Sequence, residues 1–155
     1  MLQPAIEILD ANRTMVVSTI RPDGWPQTTI VGYVNDGWTI YFLIFRSGQK
    51  FANIARDGRI SIAVGGNANY LSDIKAVYAG SHASEVRDAE ERKRAWTMLV
   101  ERHPNLADFG MPDDADTALM KAVCKYVSVL DYSQGIGHHE TVTVESGSEQ
   151  NDPPA

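Results

Sequence analysis

Between Thr14 and Phe45 the chain passes three times through β-rich sequence, and a short turn signal separates each passage from the next. The runs are TMVVSTI (14–20), WPQTTIVGYV (25–34) and WTIYFLIF (38–45), and the breaks are RPDG and NDG. β-Branched and aromatic residues suit a pleated strand, while Pro and Asp-Gly supply the dihedrals of a turn. This cadence predicts an antiparallel meander. The near-continuous apolarity of the third run predicts a strand covered on both faces.

Further along, RISIAVGG (59–66) and KAVYAGSHASEV (75–86) predict a fourth and a fifth strand around the loop NANYLSD, and KYVSVLDYSQ (125–134) alternates like a last one. Five or six mostly antiparallel strands leave long exposed edges unless the sheet closes, so a small barrel is expected. Pro4 to Ala11 predicts an amphipathic helix, with Ile6, Ile8 and Leu9 apolar, that lies across a barrel end. Asp88 to His103 predicts the clearest helix: acidic residues fill its first turn, His103 helps end it and Pro104 stops it. A short helix is expected from Asp113 to Val123. Residues 1–144 are expected to form a single domain, and the polar segment ESGSEQNDPPA from Glu145 a disordered tail (145–155).

With 155 residues, 43% of them apolar and 22% charged, the chain has the composition of one soluble globular domain. A net charge of −6 argues against a nucleic-acid partner bound through a basic surface. Cys124 is the sole cysteine, which excludes an internal disulfide and cysteine-based zinc sites. No eighteen apolar residues run together and no export leader opens the chain, so neither membrane insertion nor export is expected and the expected location is cytoplasmic. Walker, GxGxxG and GxSxG motifs are absent. His138-His139-Glu140 lacks a third ligand, so no metal is expected.

The stretch FRSGQKF (45–51) stands out. Ser47 is a suitable N-cap, Phe51, Ile54 and Ala55 share a helical face, and Gly58 can end the helix. Counted from Ser47, Lys50 falls at the third helical position, where a capping box would place Glu or Gln. Arg46 and Lys50 therefore lie at the positive end of the helix dipole. Two readings stand: solvated side chains, or a site for a phosphate.

The order short helix, STIRPDGWPQTTIVGYV, WTIYFLIF, the turn RSGQK opening ANIARDGRISIAV, and later VYAGSHASEV before a charged helix resembles the pyridoxamine 5′-phosphate oxidase-like, FMN-binding split-barrel family. The resemblance covers roughly residues 5–137 and implies a mainly β fold with flanking helices, a split β-barrel of about six mostly antiparallel strands. It implies a homodimer with flavin mononucleotide in the subunit interface and a small-molecule substrate. On the family's pattern Arg46, Ser47, Gln49 and Lys50 match the phosphate segment. Thr28, Thr29, Ile30 and Val31 match the strand along the ring and ribityl chain, and Leu43 and Ile44 precede the phosphate turn. On this resemblance Thr28 and Tyr33 stand where the authentic oxidases carry Arg and Lys, Ile44 replaces a common Thr, and the C-terminal Arg and His that hold their substrate phosphate have no match in SVLDYSQGIGHHETV. An oxidoreductase acting on something other than pyridoxamine phosphate is thus expected, with no catalytic side chain assigned. The alternatives are a deazaflavin-dependent reductase, or a non-catalytic module that binds or stores flavin or haem.

Overall fold

A computed structural model describes residues 3–111 and 116–144. Its elements are α1 (Gln3–Ala11), β1 (Thr14–Ile20), β2 (Pro26–Gly32), β3 (Val34–Asp36), β4 (Thr39–Phe45), α2 (Gln49–Arg56), β5 (Arg59–Gly65), β6 (Lys75–Glu85), α3 (Ala89–Arg102), β7 (Thr117–Asp131) and β8 (His139–Thr143). Short 3-10 turns at Leu71–Asp73, Pro104–Phe109 and Tyr132–Gln134 join some of them. All eight strands belong to one antiparallel sheet with the order β2-β1-β5-β6-β7-β4-β3, and β8 pairs with the C-terminal half of β7.

The hairpin β1–β2 forms as the sequence predicts, in register from Thr14↔Gly32 to Ile20↔Pro26. Its turn closes through the Arg21 N–H to the Trp25 carbonyl and the Trp25 N–H to Asp23 Oδ1. Gly24, at φ +85°, supplies the left-handed step that a side chain would resist.

The meander stops there. The run Trp25–Val34 divides at Tyr33, whose buried ring enters the core and whose hydroxyl donates to the Leu9 carbonyl at 2.6 Å. Beyond this break β4 pairs with β3 and with β7, from Thr39↔Val123 to Phe45↔Thr117, rather than with β2. Strands β2 and β4 come close to each other without a ladder between them, and that gap is the split in the barrel.

A second departure concerns the helix expected at 113–123. Thr117–Val123 belongs to β7, where alternation is hidden because Ala118, Leu119 and Met120 are all buried between the barrel and α3. Positions 113–115 lie outside the described residues, as does the tail 145–155. The terminal strand β8 lies beyond the expected last strand, which itself extends back to Thr117.

The barrel interior holds Met15, Val17, Tyr33, Ile40, Phe42, Ile60, Ile62, Val64 and Val127, with Ala5 and Leu9 of α1 covering one end. On the other side of β4, the residues Tyr41, Leu119, Ala95 and Leu99 form a second core under α3. Both faces of β4 are thus covered, except at Phe45. Helix α3 starts at an Asp88 cap that accepts the Glu91 N–H, and it ends at His103, whose Nε2 lies 2.9 Å from the Tyr33 carbonyl.

Candidate functional site

The β4–α2 turn corrects the expected cap. Gly48, not Ser47, is the N-cap residue, so no side chain caps α2 and Lys50 is its second residue. The first-turn N–H groups of a helix have no intrahelical acceptor, and here no cap hydroxyl supplies one. The exposed Ser47 is free to turn its hydroxyl toward a ligand at this end. At the other end the helix stops at Arg56 and Asp57, one residue before Gly58, with the Asp57 N–H on the Asn53 carbonyl.

The two cations of the turn have different fates. Arg46 donates to both carboxylate oxygens of Glu85 on β6, and its guanidinium sits 5.4 Å from the Phe51 ring centroid. Arg46 holds the Glu85 carboxyl below the ordinary glutamate range, against the opposing effect of burial. Its backbone N–H donates to the Asp116 carbonyl at 2.9 Å. Lys50 is half-buried and has no hydrogen bond or ion pair among the described residues. Burial lowers its pKa. Arg46 is thus paired with Glu85, whereas Lys50 has no counter-charge among the described residues.

Strand β2 presents its candidates on two faces. Thr28 and Ile30 point outward, where the Thr28 and Ser18 hydroxyls are 2.8 Å apart and Ile30 is 72% exposed. Thr29 and Val31 turn the other way, Val31 packing on the barrel core. The Thr29 hydroxyl is buried and has no hydrogen-bond partner among the described residues. An orphan of this kind inside a protein is uncommon and fits a site that a polar ligand completes. Leu43 and Ile44 face opposite sides of β4: Ile44 joins the barrel interior, and Leu43 packs against the core under α3.

Gln49 is turned back onto its own helix, donating to Asn53 Oδ1 at 2.8 Å. Asn53, fully buried, in turn donates to Thr19 Oγ1 and Gln27 Oε1, each at 3.0 Å. Helix α2 is thereby tied to β1 and to Gln27 of β2. Neither Asn53 nor Glu85 was expected at the site. The i,i+4 pair Gln49/Asn53 on a helix with an apolar face was the available signal for the first. Glu85 had none, because its partner lies 39 residues away across the sheet. Tyr33 is buried, with its hydroxyl bonded to α1.

Residues 3–131 match the family model described as pyridoxamine 5′-phosphate oxidase. This chain belongs to the pyridoxamine 5′-phosphate oxidase family. No curated protein matches its sequence. The fold is similar to that of a haem-binding protein from Mycobacterium smegmatis, with a TM-score of 0.77 and 18% identity over 92% of this chain and 57% of the other. It is also similar to General Stress Protein 26 from Bacillus anthracis, with a TM-score of 0.69 and 17% identity over 92% and 98% of the two chains. A FAD-binding protein from Mesorhizobium loti matches with a TM-score of 0.65 and 20% identity over 82% of this chain and 91% of that one. These identities establish a shared split-barrel fold. No helix among the described residues is long and apolar enough to cross a membrane, and no group of three or more His, Cys, Asp or Glu there could hold a metal.

Proposed function

We propose that this member of the family binds flavin mononucleotide and acts as an oxidoreductase on a small molecule other than pyridoxamine phosphate. The observation that carries the reading is Lys50, a desolvated cation without a partner among the described residues, at the uncapped start of α2. A phosphate of about two negative charges answers both the ammonium and the open N–H groups. Ser47 adds a hydroxyl, Thr29 an unpaired one across the split, and the strand segment 28–31 a bed for a flat ring. A flavin supplies hydride or electron transfer when bound, and the chain's own residues bind, orient and shield it.

The same reading makes the protein a homodimer with the cofactor between subunits. In support, the outward face of the sheet leaves Ile30, Tyr78 and Tyr126 exposed side by side, an apolar patch of the kind that marks an interaction surface. Tyr126 lies flat on that face because Gly80 beneath it has no Cβ; one would fall 2.2 Å from the tyrosine ring. Haem is the second reading, favoured by the exposed imidazole of His82 in the outer-face hollow beside Tyr126 and Ser61. A visible spectrum of the purified protein separates them: a blue-absorbing flavin band supports the first, a Soret band the second. Light scattering of the cofactor-loaded protein should give a dimer, and a monomer would remove the interface from the reading. Reduction by a nicotinamide followed by turnover on an acceptor distinguishes an enzyme from a carrier.

A further inference from the structure

Beside the β4–α2 turn, between the end of β4, α3 and the Pro104–Phe109 turn, lies a cavity of about 460 Å³. That is the size of a site for a small organic molecule. It continues the core under α3 at the point where that core fails to close: Tyr41 and Leu99 are fully packed, Leu43 and Leu106 only partly. Its walls are Leu43, Phe45, Trp96, Leu106, Phe109 and Met111, with Phe45 and Phe109 70% and 83% exposed at its mouth. Aromatic rings left in water at the rim of an apolar hollow are placed to clasp a flat guest.

The charge in the cavity narrows the guest. Among the described residues Asp116 is the only ionisable one lining it and Thr117 the only hydroxyl. A carboxylate or phosphate entering here would lose its hydration and meet a like charge. The cavity also shares backbone with the proposed phosphate turn. Phe45 immediately precedes Arg46, and the Asp116 carbonyl accepts the Arg46 N–H.

We infer that this cavity binds a neutral, planar, apolar molecule. The inference rests on the cavity alone and stands apart from the flavin reading.

The test is calorimetric titration of the full chain with 2-naphthol and with 2-naphthoate at neutral pH. 2-Naphthol should bind about tenfold or more tightly than the carboxylate, the penalty for taking an ionised group into an apolar, acidic hollow. Phe109→Ala, which truncates an exposed ring and spares the core, should weaken 2-naphthol about two- to tenfold, the worth of one aromatic contact. Asp116→Asn should narrow the preference for the neutral probe. Equal affinity for the two probes, no heat with 2-naphthol, or an unchanged affinity in Phe109→Ala overturns the assignment. A parallel titration of the same wild-type preparation with flavin mononucleotide keeps the two readings apart. Flavin bound with naphthol refused overturns this inference alone, and naphthol bound with flavin refused overturns the cofactor reading while upholding the cavity.

Discussion

The interior of the barrel and the rim of its split handle polar groups in opposite ways. Inside, the Tyr33 hydroxyl is partnered by the Leu9 carbonyl, Asn53 by three side chains, and the buried Ser81 hydroxyl on β6 by Cys124 Sγ at 3.5 Å. At the rim, the Thr29 hydroxyl is orphaned, Lys50 has no partner among the described residues, and Ile30 and Phe45 stand in water. A buried polar group without a partner costs about 1–3 kcal/mol, so an orphaned hydroxyl near a desolvated cation fits a site that a ligand completes. Satisfied groups hold this molecule together, and the unsatisfied Thr29 and Lys50 mark the proposed site.

The sharpest way to break that contrast is Asn53→Ala. The substitution takes their shared partner from the buried Thr19 hydroxyl and the half-buried Gln27 and should cost about 2–4 kcal/mol, read as a lowered urea midpoint with an unchanged m-value. Lys50→Ala should behave conversely. It removes a desolvated charge, so the apoprotein should be no less stable, while flavin mononucleotide binding weakens about 10- to 100-fold, the worth of a charge-assisted hydrogen bond. Riboflavin, which lacks the phosphate, should lose little. Equal losses for the two ligands would remove the phosphate from this turn, and a destabilised Lys50→Ala would place Lys50 with Asn53 among the structural residues.

How much of this was legible in the sequence follows from the range of each interaction. Local signals were read correctly: Asp23-Gly24 makes the hairpin turn, Asp88 and His103 bound α3, and WTIYFLI is buried on both faces. The pairing of β4 was not legible, because nothing in residues 39–45 names β7, some eighty residues on, as the partner. The break at Tyr33 was hidden for a related reason: tyrosine suits a strand, and only its long-range bond to α1 pulls it out of one. In the site, Lys50 was visible as a cation at the wrong end of a helix. Arg46 looked equivalent until the fold brought Glu85 beside it. The N-cap was misplaced by one residue, since Ser47 and Gly48 both qualify by type and only backbone geometry chooses.

The pH dependence of binding sharpens the same contrast with a smaller effect. Burial holds the Lys50 pKa below the ordinary 10.5, so between the two values the unfolded chain carries more protons and apoprotein stability rises with pH. A bound phosphate favours the charged lysine, and affinity for flavin mononucleotide should therefore fall as pH climbs through that window. On the acid side it should decline below about pH 6, where the phosphate gains its second proton. Titrations across pH should show the alkaline limb in the wild type and lose it in Lys50→Ala, with riboflavin flat in both.

Glu85→Gln tests the other cation of the turn and should give the smallest change. The Glu85 carboxyl titrates below its ordinary 4.5 because Arg46 is bonded to it. With the folded value depressed, the pair contributes its full stability above pH 4.5 and loses it as pH falls through the lower, folded value. Acid unfolding of Glu85→Gln should accordingly be less steep in that window than that of the wild type. The neutral amide also loosens Arg46 from β6, within a few residues of the uncapped end of α2. If Arg46 is only a strut, flavin mononucleotide affinity stays within about twofold; if Glu85 has been holding it away from an anion, affinity rises several-fold. Titration of the variant beside Lys50→Ala thus reads which of the two cations the fold keeps and which it offers.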